Sequence, residues 1–105
     1  MDHQLIVLSN ATAGEEDAFN LWYDEVHLPD VLAVPGIAAA RRFTLAEGAE
    51  WRFAAIYDMT GDDPAATVAD LVARVADGRI AMTDAFDMAS FRMLTATPCG
   101  PRRTA

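Results

Sequence analysis

Phe19-Asn20-Leu21-Trp22-Tyr23-Asp24-Glu25-Val26-His27-Leu28-Pro29-Asp30-Val31-Leu32-Ala33-Val34-Pro35-Gly36 is the stretch that decides the fold. Phe19, Trp22, Tyr23 and Val26 recur at helical spacing, with Asp30 a further position on the pattern. Gly14 and the acids Glu15, Glu16 and Asp17 precede them and suit a helix start, where carboxylates meet the positive helix end. Pro29 interrupts the pattern. It has no N–H, so the Glu25 carbonyl loses its usual partner, and it pushes Leu28 away from helical angles. A kink or break is expected there, with Pro29 able to open a second short turn that Pro35 and Gly36 end.

Working outward, Leu5 to Leu8 is a short apolar run that reads as a buried strand. On the other side, Ile37 to Leu45 reads as a strand. Ile37, Ala39, Arg41, Phe43 and Leu45 are expected on one face, and Ala38, Ala40, Arg42 and Thr44 on the other. Glu47-Gly48-Ala49 suits a hairpin turn, and Trp51 to Met59 returns as the next strand. Trp51, Phe53, Ala55, Tyr57 and Met59 share one of its faces, while Ala54 and Ile56 make the other apolar too. Asp62 or Asp63 before Pro64 starts a second helix with Val68, Leu71, Val72 and Val75 as its apolar stripe, stopped by Gly78. Ile80 to Asp87 has no clear period. Met88 to Thr97 is expected as the last strand.

The order is β-α-β-β-α-β, a ferredoxin-like α+β arrangement of four antiparallel strands with two helices on one face. A sheet that is apolar on both sides needs covering on both sides. A second copy would cover the open face by two-fold symmetry, giving a homodimer. Residues 1–97 are expected to form one domain and 98–105, with Pro98, Gly100 and Pro101, a flexible tail.

The quoted stretch, together with Arg41-Arg42-Phe43, resembles the EthD-like branch of the dimeric α+β barrel superfamily. The likeness rests on the first helix, the His27-Leu28-Pro29 step, the Pro35-Gly36 turn and the Arg-Phe strand. It implies a homodimer whose sheets pack face to face, with a pocket in each subunit between sheet and helices. Relatives in that superfamily include cofactor-free monooxygenases acting on aromatic polyketides, cyclases, muconolactone-type isomerases and haem-binding members. The histidine that matches His27 is a frequent pocket residue among them.

Composition limits the partners. The chain has 105 residues and a net charge of −8, from 16 acids and eight arginines, with no lysine. That balance argues against nucleic acid and against anionic membranes. No uncharged stretch reaches the ~20 residues of a membrane helix, and no basic region precedes the first apolar run as in a signal peptide. Cys99 is the single cysteine, so no intrachain disulfide forms, and a cytoplasmic setting is expected. Hydrophobic residues make up 52% of the chain, enough for a folded core.

His27 is the leading chemical candidate. It lies inside a patterned element and titrates near neutral pH, so it suits a general acid or base. The competing reading has it capping the last carbonyls of the kinked helix. Tyr23 lies four residues earlier on the same helix face and can converge with it on one ligand. Trp22 is either a pocket wall or a core aromatic against the sheet. Asp30 either orients the imidazole or stands exposed. Arg42, which matches the Arg-Phe step, is chosen over Arg41 to reach the pocket and bind a carboxylate or phenolate. Tyr57, Phe91 and Met93 are candidate walls. His3, His27 and Cys99 lack a metal-ligand spacing, and the six glycines form no nucleotide loop, so no metal or cofactor is expected.

These features suggest a small cofactor-independent enzyme acting on an apolar, oxygenated ring or polyketide-like compound. His27 would move a proton with help from Tyr23, in an isomerisation, cyclisation, dehydration or oxygenation. The alternatives are a non-catalytic accessory protein binding a small ligand or haem, with His27 as axial ligand, and an interaction module whose dimer face is its whole function.

Overall fold

A computed structural model describes residues 2–105. Strands β1 (His3–Ser9), β2 (Ile37–Thr44), β3 (Phe53–Met59) and β4 (Arg92–Ala96) form one antiparallel sheet in the order β2-β3-β1-β4. Helical segments α1 (Glu16–Trp22), a π-helical turn (Tyr23–His27) and α2 (Leu28–Leu32) follow one another without a break, and α3 is Pro64–Ala76. This is the ferredoxin-like α+β architecture with the helices on one face. None of the described helices is long and apolar enough to cross a membrane.

Alternation sets the two faces of the sheet. Leu5 and Val7 of β1 lie across from Tyr57 and Ala55 of β3, and all four are buried on the helix side. Phe19, Tyr23, Val31 and Val34 pack against them from the helical run. Ile6, Leu8, Ala54, Ile56, Phe43 and Leu94 occupy the other face. Phe43 and Leu94 are 40% and 51% exposed there, so none of the described elements covers them.

Three local expectations are corrected. Ile37 shares the helix-side face with Met59 and is buried, rather than lying with Ala39 and Arg41. A bulge between Ile37 and Ala39 inserts one residue and reverses the alternation upstream of it. Trp51 precedes β3 instead of belonging to it, and its indole N–H donates to the Ser90 carbonyl at 2.7 Å. β4 is shorter than Met88 to Thr97, because residues 77–91 form a strap tied down elsewhere. Thr12 anchors that strap, its backbone N–H donating to Ala85 O and its hydroxyl to Asp84 O. The Asp87 N–H donates to Asn10 O, and Ala11 bridges Phe86.

The ends of the helices follow the expected chemistry. The Asp63 carboxylate caps α3 by accepting from Ala66 N, with Pro64 in the first turn. Gly36 ends the run after α2 at φ +94°, and a Cβ there would stand 2.8 Å from Thr67 Oγ1 of α3. The turn and the close approach of α3 both require glycine.

Candidate active site

Between the sheet and α3 lies a cavity of about 260 Å3. Val7, Tyr57 and Met93 rise from the sheet, and Tyr23, His27 and Val31 come from the first helical run. Leu71, Val72, Val75 and Ala76 face them from α3, and Met82, Phe86, Met88 and Phe91 close it from the strap. Val72 and Met88 line it yet are about half exposed, so they mark its mouth. The walls are apolar except at the Tyr23 and Tyr57 hydroxyls and the His27 imidazole.

The π turn sets Tyr23 and His27 beside one another, and β3 supplies Tyr57. Pro29 cannot donate to the Glu25 carbonyl, and its ring would crowd that carbonyl in a regular helix. Here the Leu28 N–H instead reaches Tyr23 O, five residues back, which widens the turn. Leu28 keeps helical angles (φ −58°, ψ −46°), so the expected departure at that residue does not occur. The widened turn sets the His27 ring against Trp22, stacked at 4.5 Å, and edge-on to Tyr23 at 5.0 Å.

All three polar groups are buried: His27 Nδ1 has no hydrogen-bond partner, and the Tyr23 and Tyr57 hydroxyls have none but each other. The capping reading of His27 therefore fails. Buried polar atoms are normally paired, and an exception calls for an explanation such as a ligand. Burial drives the His27 pKa from 6.5 down to about 4, opposed in part by the charge of Asp30. Burial also raises both phenols above their usual value. The two hydroxyls are close enough for each to influence the other's ionisation, and Arg42 pulls both back slightly. At neutral pH the site carries no charge.

Of the residues singled out from the sequence, Tyr23, His27, Tyr57, Phe91 and Met93 line the cavity, and Trp22, Asp30 and Arg42 do not. Trp22 stands behind His27, and its indole N–H donates to Ala81 O of the strap at 3.3 Å. Asp30 makes no hydrogen bond to the imidazole; it acts on it only through its charge. The Arg42 guanidinium sits 4.6 Å over the Tyr23 ring and bonds to Asn20 Oδ1 (2.7 Å) and Asp24 Oδ1 (2.9 Å). Its guanidinium is engaged by these two helix residues and does not reach the cavity lining. Met82, Phe86 and Met88 were missed. They lie in the strap, whose residues show no period that would mark a wall.

No family model matches the chain, and no curated protein matches it significantly. Solved structures do. One is an ethyl tert-butyl ether D (EthD) family protein from Bacillus halodurans, 16% identical, with a TM-score of 0.64 over 93% of this chain and 99% of that one. A second is a proposed monooxygenase from Shewanella loihica, 14% identical, with a TM-score of 0.63 over 95% and 96%. A third is a dimeric ferredoxin-like protein of unknown function from Thermobifida fusca, 18% identical, with a TM-score of 0.53 over 92% of both chains. At these identities the likeness speaks to architecture. The chain shares the ferredoxin-like α+β fold of these structures.

Proposed function

We propose that the protein is a small enzyme that binds an apolar, oxygenated ring compound in this cavity and moves a proton on it with His27. The reading is carried by one observation: beside an otherwise apolar cavity, His27 Nδ1 has no partner and the Tyr23 and Tyr57 hydroxyls have none but each other. In the proposed step, the imidazole takes a proton from a carbon next to a ring carbonyl. The electron pair moves onto the carbonyl oxygen, and the phenol hydroxyls donate hydrogen bonds to that oxygen as its charge grows. Returning the proton to another atom completes an isomerisation or enolisation.

An imidazole with a pKa of about 4 is a weak base that is already unprotonated at neutral pH. It suits a carbon acid whose deprotonation is favoured by conjugation in the product. The same weak basicity supports the second reading, a non-catalytic carrier that holds the ring by hydrogen bonds alone. A haem-bound form of the carrier is tested by adding haemin and looking for a Soret band.

The two readings separate on hydrogen exchange of 2-tetralone in D2O, followed by proton NMR. Proton transfer predicts loss of the signals next to the carbonyl faster than in buffer, and a return to the buffer rate with His27→Ala. Exchange at the buffer rate with the wild type, despite binding, selects the carrier.

We further propose that two copies pair through the open sheet face. The exposed Phe43 and Leu94, beside half-buried Ile6, Leu8 and Ile56, support that interface.

A further inference from the structure

The cavity walls also bear on the charge of what can enter. We infer that the cavity accepts uncharged ring compounds whose carbonyl-type oxygen takes hydrogen bonds from the Tyr23 and Tyr57 hydroxyls, and rejects the corresponding carboxylates. This rests on the cavity being a ligand site, as proposed above.

Among the described residues no arginine, aspartate or glutamate lines the cavity, and the chain contains no lysine. The cation nearest the phenols, Arg42, lies over the face of the Tyr23 ring and is held from outside by Asp24 and Asn20. The one charge that bears on His27 is that of Asp30, which is negative. A carboxylate entering from water would lose its hydration and meet no opposite charge, which strongly opposes burial. A neutral carbonyl gives up far less. The two hydroxyls have no partner but each other, and a carbonyl oxygen has two lone pairs to receive an O–H from either. The deep desolvation of His27, which keeps it neutral, acts in the same direction.

The probes are 1-naphthamide and 1-naphthoate, close in shape and different in charge, with naphthalene as the purely apolar control. Binding is measured by calorimetry at neutral pH. The amide is expected to bind, and the carboxylate to bind about a hundredfold more weakly or worse. The Tyr23→Phe/Tyr57→Phe double variant is expected to lose about tenfold in amide affinity while holding naphthalene as the wild type does. Retained naphthalene binding reports that the variant is folded. Naphthoate binding within about threefold of the amide would overturn the charge selection and leave the cavity standing as a site. Unchanged amide affinity in the double variant would overturn the carbonyl contact. Failure of both naphthalene and the amide to bind would instead remove the cavity as a ligand site, and the proposed function with it.

Discussion

The His27 imidazole lies nearly flat against the Trp22 indole, ring centroids 4.5 Å apart and planes 24° apart, although the two are five residues apart in sequence. In a regular α-helix such a pair diverges by roughly 140° around the axis. The π turn over Tyr23–His27 removes most of that divergence, and Pro29 explains why the turn is wide.

Pro29→Ala should therefore separate stability from binding. Alanine restores an N–H and permits the regular register, so the melting temperature should stay level or rise. The His27 ring should leave Trp22, and affinity for 1-naphthamide should fall by about tenfold. A variant that melts well below the wild type with unchanged affinity would show that the π turn serves only packing.

Protonation of His27 should couple pH to stability. Its folded pKa of about 4 lies below the unfolded value of 6.5, so between those values the unfolded chain binds more protons. Stability is then full above about pH 6.5 and falls as pH drops toward 4. The loss reaches about 3 kcal/mol at 1.36 kcal/mol per pKa unit. The carboxylates titrate in part of the same range, so the comparison is with His27→Gln. The difference in unfolding free energy between wild type and variant should shrink by that amount from pH 7 to pH 4. A constant difference would mean that His27 is not held neutral.

Tyr57→Phe removes a buried hydroxyl that has no partner except the Tyr23 hydroxyl. Loss of an unsatisfied polar atom costs little or stabilises, so urea unfolding should show a change between zero and a gain of about 1 kcal/mol. Ring-carbonyl binding should weaken at the same time. Sites held for a ligand show this opposition between stability and function. A loss of about 2 kcal/mol or more would instead assign the hydroxyl to the core.

The sequence made much of this legible, and the failures have local causes. Helical spacing placed Tyr23 and His27 on one face, and strand alternation placed Tyr57 toward the helices, because both periods are geometric. Arg42 was also on the correct face, but the period could not say that Asn20 and Asp24 would take its guanidinium. Those two residues come from another element, and only the tertiary approach of α1 and the π turn to β2 reveals the pairing. Ile37 was placed on the wrong face because a single inserted residue at the bulge leaves no mark on the pattern. Met82, Phe86 and Met88 were out of reach for a different reason: the strap takes its shape from bonds to Asn10, Thr12 and Trp22, far away in the chain.

Arg42 should matter for stability more than for recognition. Its side chain is 15% exposed, stacks on Tyr23 and donates to both Asn20 and Asp24. Arg42→Ala should cost about 1–3 kcal/mol, from lost packing as well as lost hydrogen bonds. Arg42→Lys should recover only part, because an ammonium cannot reproduce the fork or the stacking. Binding of 1-naphthamide by the folded variants should change by less than a few fold, since no wall of the cavity is removed. A selective loss of affinity with stability intact would return Arg42 to the site.

The open sheet face makes the last prediction. Leu94 is 51% exposed in the middle of β4, opposite Ile6, on the side that no helix covers. If a second copy covers it, light scattering after size exclusion should give about twice 11.4 kDa at micromolar concentration. Leu94→Asp places a carboxylate in that contact, where two-fold symmetry brings it in twice. Burying either copy unpaired is costly, so the variant should elute as a monomer and melt lower than the wild type. The cavity lies on the opposite face, so the monomeric variant should still bind 1-naphthamide. A wild type that is monomeric at these concentrations would remove the second copy as the cover. A variant that stays dimeric would move the interface away from β4.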